Sequence, residues 1–553
     1  MIPWRPFGHE AFAEARALGR PLLLVIGTTW SHATHQLDDE SLDEPAIAAQ
    51  LAARFVAMRV DADRRPDVDI RYQRLAAGAS SWPLIAVLAQ DGAVRSVARH
   101  VSRRRFIELL SGGPGDPPRP VDHSISDGDP VDAALAALRS AYTPSYGGFG
   151  PPPRPPFAPA LELLLAEADP LSLKMARRTL EAMDAGGLHD QLAGGFHRDG
   201  ADDRWVVPHF EKRAIDQAAL FSVYARASVR LGVPRFAEVA RGIASYVEAR
   251  LADPAGGVKN AEDADVGSWD DGSHYTFTLD EARAALAPDE LEIAQRAFDL
   301  YGRGELTSDP TRNVLFIAAS PDELARELGR PEPELARLLA RARARLLAAR
   351  QARPQPAIDE TIYVAPSALL ARAYLDPASP APPSARDFAL ATVERLSREA
   401  RRPDGSVRHL LGPSADAGEL SAWLDDHAAL GLAALAAFHA TGERAHLSFA
   451  RELAERLIAD FWDEAGGFLD RPRSSDGPGE LSRPLLPVRD GAAPSGNALA
   501  GRLLLALARA APETAHHLAR LDALLAALLP RAAALGPAGA GLIHLAQERR
   551  RGP

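Results

Sequence analysis

From residue 131 to the end, the chain is written almost wholly in helical pattern. The stretch Asp425–Phe461, DDHAALGLAALAAFHATGERAHLSFARELAERLIADF, is representative, with alanine- and leucine-rich segments whose apolar residues fall at helical spacing and are separated by short turns. The phrase Gly-Gly-Phe recurs at Gly147-Gly148-Phe149, Gly194-Gly195-Phe196 and Gly466-Gly467-Phe468, with a related Gly256-Gly257-Val258. Turn chemistry that repeats between helices predicts stacked helical hairpins closing into a toroid. Such a chain has little room for any other architecture.

The front of the chain is different. Phe12, Ala15 and Leu18 recur at helical spacing before Gly19 and Pro21 stop the helix. PLLLVIG then reads as a strand buried on both faces. After the polar turn TTWSHATHQ comes the helix-like DEPAIAAQLAARF, a second buried strand in FVAMRVDAD, and a helix over Asp67–Ala77. Pro83 introduces the strand LIAVLA, a turn at Asp91-Gly92 leads to VRSVARHV, and RRRFIELL closes the unit. The order βαβαββα predicts a thioredoxin-like domain over residues 1–111. The fold class is therefore multidomain: this α/β unit, a Pro/Gly/Ser/Asp-rich linker over 112–130, and an all-α (α/α)6 barrel over 131–553. A second proline-rich patch, Thr143–Pro159, carries Tyr146, Phe149 and Phe157 and reads as an ordered strap against the barrel.

Composition removes several functions. The chain has no cysteine, so disulfides, thiolate nucleophiles and thiol redox relays are excluded. At the thioredoxin-like active position stand Ser31 and Thr34, with Pro83 where such folds keep a cis-proline, so the domain is expected to be redox-inactive. Trp30, His32 and His35 remain there as a binding surface or a partial metal site. A net charge of −11 over 553 residues argues against nucleic acid as the main partner. No signal peptide or membrane-length apolar run is visible, so a cytoplasmic location and no membrane are expected; no cofactor and no metal are expected either.

The densest polar stretch is Gly186–Gln217, GGLHDQLAGGFHRDGADDRWVVPHFEKRAIDQ. It sets His189, His197 and His209, six acids and Trp205 in a glycine-punctuated loop between helices, the composition of a small-molecule site.

These motifs, together with PFGHEAF, VDADRRPDVD, WPL, GGFG, EDAD, LDDHA, FWDEAGGF and DGAAPSGN, resemble the spermatogenesis-associated thioredoxin-like proteins, nearly full length and in order. The resemblance implies a thioredoxin-like domain followed by a barrel similar to N-acylglucosamine 2-epimerases and six-hairpin glycosidases. Departures from the family pattern are the missing cysteine pair at Ser31 and Thr34, IDETIYVAPSAL in place of a D-D-K…S-W-N-G segment, and HFEKRAIDQ, which keeps His209, Glu211, Lys212 and Asp216 but lacks a Tyr and an Asn.

Carbohydrate isomerase or epimerase chemistry needs an acid and a base of near-neutral pKa, which histidine supplies. The candidate catalytic residues are His209, Glu211, His274, Asp426 and His427. His197, Trp205, Lys212, Asp216, Asp263, Asp265, Tyr275, Trp423, Asp425 and Asn497 are candidates for binding a small-molecule, sugar-like ligand. Two alternatives stay open: a glycoside hydrolase using paired carboxylates, and a non-catalytic scaffold. No protein partner of the front domain can be named.

Overall fold

A computed structural model describes all residues except 77–80, 100–101, 111–128, 268–269, 413–422 and 553. The linker expected over 112–130 lies mostly outside the described residues.

In the front domain, α1 (His9–Leu18) ends at Gly19, whose φ of 65° gives the left-handed C-cap. It is followed by β1 (Leu22–Gly27), α2 (His32–Leu37), α3 (Pro45–Arg54), β2 (Val56–Asp61), α4 (Pro66–Leu75), β3 (Leu84–Leu88), β4 (Val94–Arg99) and α5 (Arg103–Leu110). The sheet runs β2-β1-β3-β4, with β1 parallel to β2 and the other pairs antiparallel. Every residue of β1 is buried, as its continuous apolar run requires. One correction falls here: the segment after β1, read as a polar turn, enters helix at His32, with Ser31 as N-cap. The Trp82–Pro83 bond is cis. Ser31 and Thr34, at the start of α2, are both buried.

The ring begins with α6 (Pro130–Ala141), α7 (Ala158–Ala166), α8 (Pro170–Ala185), α9 (Ala214–Leu231) and α10 (Pro234–Tyr246). An unforeseen insertion follows: α11 (Leu279–Ala285), α12 (Pro288–Phe298), α13 (Pro321–Leu328) and α14 (Glu332–Gln351), packed around their own core of Phe277, Ile293, Phe298, Leu335 and Leu346. The ring resumes with α15 (Val364–Tyr374), α16 (Pro383–Glu399), α17 (Leu424–Thr441), α18 (Arg444–Phe461), α19 (Gly496–Ala510), α20 (Leu518–Ala534) and α21 (Ala540–Arg550).

Closure can be traced helix by helix. α7 packs on α9, α9 on α15, α15 on α17, α17 on α19, α19 on α21, and α21 back on α7. Outside this inner circle, α8, α16, α18 and α20 each bridge two inner helices, α10 backs α9, and α6 packs on α20 and α21. The result is a closed (α/α)6 barrel. Inner α17 is buried nearly all round, as a helix sandwiched on every side must be.

The recurring glycines mark the repeat. Gly147, Gly148, Gly194, Gly195, Gly256, Gly257 and Gly466 all have positive φ, as do Gly405 and Gly536 after the two remaining outer helices. Each such turn except that at Gly536 closes a small antiparallel bridge: Tyr142–Phe149, His189–Phe196, Ala252–Val258, Arg401–Val407 and Trp462–Phe468. A side chain from the next inner helix then accepts the bridge residue's N–H. Gln217 Oε1 takes Phe196 N at 2.9 Å, Ser367 Oγ takes Val258 N at 3.1 Å, His427 Nε2 takes Val407 N at 3.2 Å, and Asn497 Oδ1 takes Phe468 N at 2.8 Å. These four residues are one latch repeated around the ring.

Candidate functional site

Two residues past each of these four latched bridges stands a polar side chain: Arg198, Asn260, His409 and Asp470. All four reach the end of the ring where the inner helices begin, and the front domain is seated there. Arg198 pairs with Glu211 at 3.2 Å, and Glu211 in turn accepts the His32 N–H at 3.3 Å. Asn260 donates to Asp63 at 2.8 Å and Asp359 at 2.9 Å. His409 Nε2 meets the Asp63 carbonyl at 2.8 Å. Asp470 receives both Arg71 amines, and Leu481 of the same barrel loop enters the front domain's apolar core. Trp30 donates to Asp63 at 2.6 Å, and the Arg213 guanidinium lies 5.4 Å from the Trp30 ring, held by Asp216 at 2.7 Å. The docking face of the front domain is thus built from the start of α2, Asp63 after β2 and Arg71 on α4.

Several residues proposed from sequence serve the frame. His427 is fully buried, with Nδ1 on the Trp423 carbonyl at 3.0 Å and Nε2 in the latch; burial lowers its pKa, and neither nitrogen can serve a substrate. Asn497 is fully buried and also donates to the carbonyls of Phe468 and Pro487. His274 is buried with Nδ1 on the Pro354 carbonyl, and burial takes it down to about 4. His197 is buried against the Phe210 carbonyl at 2.7 Å and falls to about 3 through burial and the nearby Lys212. Lys212 is paired with Asp190 at 2.5 Å and holds the Gly194 carbonyl, while Tyr275 stacks on Phe210 and donates to the Asp263 carbonyl. Trp205, at φ 66°, is buried under the strap and donates to the Tyr146 carbonyl. In each case the side chain is engaged by hydrogen bonds within the frame. Glu262 of the EDAD run lies in a strand, Lys259–Glu262, paired with 212–213 and 358–362.

Others stay at the rim. His209 is half-exposed and hydrogen-bonded to Asp199; burial draws its pKa down, but that partner leaves it raised overall. Asp263 and Asp265 face His32 and His35 across the domain seam.

A second group sits at the first turns of α15 and α17. Asp426 is fully buried, accepting the Ala365 N–H at 3.1 Å and His409 Nδ1 at 2.8 Å. Burial pulls His409 down and Asp426 more than offsets it, so its pKa is raised. The rings of Tyr363 and Trp423 lie 4.9 and 5.9 Å from His409. Among the described residues, the Tyr363 hydroxyl and Trp423 Nε1 find no hydrogen-bond partner. Asp425 is solvent-accessible yet walled by its surroundings. It hydrogen-bonds no described residue, and burial, with Asp426 adding, pushes its carboxyl up to about 7. Its Oδ1 stands only 2.1 Å from where a Cβ on Gly496 would lie, so only glycine permits this placement. A cleft of about 230 Å³ along the domain seam, lined by Phe7, His9, Arg65, Asp67, Arg471 and Asp476, has Trp423 in its wall.

Tyr363 and His409 were not foreseen. The signal was present: aligning the glycine turns as one repeat puts His409 in register with Arg198, Asn260 and Asp470.

The fold and its mouth define a class, a thioredoxin-like domain seated on an (α/α)6 barrel. The comparisons agree with the resemblance read from the motifs. Residues 1–109 match the family model Thioredox_DsbH, described as a protein of unknown function, DUF255. Spermatogenesis-associated protein 20 of Homo sapiens is 29% identical over 593 aligned residues, covering 92% of this chain and 73% of the relative. An uncharacterized protein of Caenorhabditis elegans, B0495.5, is 26% identical, with 92% and 78% covered. Solved structures with similarity include a sugar epimerase from a ruminal bacterium (13% identity, 68% of this chain and 96% of that chain, TM-score 0.32) and the GH76 α-mannanase BT2949 of Bacteroides thetaiotaomicron (9%, 77% and 97%, TM-score 0.41). Among the described residues no helix is long and apolar enough to cross a membrane.

Proposed function

We propose that the chain is a carbohydrate-active barrel protein whose working centre is the Asp425, His409–Asp426, Tyr363 and Trp423 cluster, with isomerase- or epimerase-type proton transfer as its chemistry. The observation that carries this reading is Asp425: an exposed carboxyl without a hydrogen-bond partner among the described residues, with its pKa raised to about 7, next in the chain to the His409–Asp426 pair against which the Tyr363 and Trp423 rings lie. A carboxyl titrating near neutrality serves as acid or base, and aromatic rings with free donors suit a sugar. His409, oriented by Asp426, is the second proton-transfer group. For it to reach a substrate, the Asp63 carbonyl must leave Nε2. The pairing of two histidines read from sequence loses support, because His274 and His427 are locked in the frame. Paired-carboxylate hydrolysis is disfavoured because Asp426 is committed to His409 and the Ala365 N–H.

The test is incubation of the full chain in D2O with a panel of aldoses, ketoses and disaccharides, read by NMR for exchange at the carbon next to the carbonyl. Exchange lost in Asp425→Asn supports the reading. Exchange retained in that variant overturns the role of Asp425, and exchange absent across the panel favours the second reading, a scaffold. That alternative has its own observation: three of the four ring positions bind the front domain directly.

A further inference from the structure

We propose that the seam between the two domains binds one divalent transition-metal ion such as Zn²⁺, with His35, Asp263 and Asp265 as ligands and His32 as the fourth. The proposal is independent of the Asp425 reading. One ligand atom from each of His35, Asp263 and Asp265 can be chosen so that all lie within 4.8 Å of one another. His35 Nδ1 lies 3.0 Å from Asp265 Oδ2, and His32 Nδ1 lies 2.9 Å from Asp265 Oδ1 on its other side. Tetrahedral zinc with bonds of about 2.0–2.2 Å sets its ligand atoms roughly 3.3–3.5 Å apart, inside that spread. Imidazole nitrogen with carboxylate oxygen selects a transition metal over Mg²⁺ or Ca²⁺.

The surroundings are arranged as a ligand shell would be. The two carboxylates are only 8% and 6% exposed, and the two imidazoles 32% and 20%, so the acids form a dry floor under a solvent-facing side. His35 Nε2 meets the Thr29 carbonyl at 3.1 Å, which selects the tautomer whose Nδ1 lone pair points at Asp265. Asp263 Oδ1 accepts the Asp265 N–H at 3.1 Å, bracing the two acids, and Tyr275 donates to the Asp263 carbonyl. Glu211, which accepts the His32 N–H, adds negative charge nearby. The ligands come from both domains, so the ion would tie the former redox helix to the barrel.

A second trio, Glu455, His516 and His517, is a surface competitor, so every protein in the test also carries His517→Ala. The full chain, stripped with chelator, is titrated with ZnCl2 by calorimetry and with Co²⁺ by visible absorption. The expected result is one Zn²⁺ per chain, weakened in His35→Ala and Asp265→Asn by no less than the about 10- to 100-fold that losing an outer-shell partner costs. Co²⁺ ligand-field bands should appear in the parent and vanish in both variants. Asp263→Asn and His35→Gln read the same ligands if either first variant fails to fold. Absence of binding, or equal affinity in the parent and all seam variants, meaning adventitious surface binding only, overturns the proposal.

Discussion

Two layers of this barrel lie two residues apart in sequence and do opposite things with their polar atoms. In the latch layer, Gln217, Ser367, His427 and Asn497 commit their acceptors to the N–H groups of Phe196, Val258, Val407 and Phe468. In the mouth layer, Arg198, Asn260, His409 and Asp470 turn outward to mouth carboxylates or to the front domain, and the same end of the ring holds the exposed Asp425 and the buried Tyr363 and Trp423, whose polar atoms find no partner among the described residues. Residue type does not separate the layers, since His427 and His409 are both buried histidines. What separates them is the partner: both His427 nitrogens go to barrel backbone, whereas His409 gives Nδ1 to the Asp426 carboxylate and Nε2 to a carbonyl of the front domain.

The sharpest way to break this contrast is Asp425→Asn. It should remove turnover by about 10²–10⁴-fold, the contribution of a positioned acid or base, while leaving the fold intact. Gly496→Ala should act in the same direction by displacing that carboxyl, read as lost turnover with an unchanged circular dichroism spectrum. If Asp425→Asn instead unfolds the chain, Asp425 belongs to the frame and the contrast fails.

The latch predicts the reverse. Asn497→Ala orphans the buried Phe468 N–H and two carbonyls, and should lower stability by about 1–3 kcal/mol per unsatisfied group in chemical denaturation. His427→Ala should do the same through Val407, with any residual activity per folded molecule unchanged. Tyr363→Phe sharpens the comparison from the other side: its hydroxyl has no partner among the described residues, so stability should hold or rise while ligand affinity falls by about one hydrogen bond, 0.5–1.5 kcal/mol.

These layers also explain what could be read in advance. The front-domain elements follow from continuous apolar runs and breakers, and the toroid from repeated Gly-Gly-Phe turns, because both are local chemistry. Cap, seam and latch are not local: His32 meets Asp265 across 233 residues, and Arg71 meets Asp470 across 399. His427 and Asn497 looked functional because polar residues amid apolar helices suggest sites, and a latch needs the same residue types. The insertion α11–α14 was missed because its helices match the ring's own pattern.

The smallest predicted effect is one of pH on stability. Burial raises the Asp425 carboxyl from its ordinary 3.8 to about 7, so between those values the folded chain holds a proton that the unfolded chain has released. More protons bound in the folded state means stability falls as pH rises through the window from about 4 to 7. Asp69 and Asp490, also raised to about 7 by burial, add slopes of the same sign, so only the difference between wild type and Asp425→Asn isolates this group. Denaturation midpoints for the two proteins should run together at the acid end and diverge toward pH 7, with the variant more stable there. The divergence should be modest, because Asp425 is open to solvent and water screens its charge. Parallel curves would mean that Asp425 is an ordinary solvated carboxylate, which would erase the distinction between an open mouth and a closed latch.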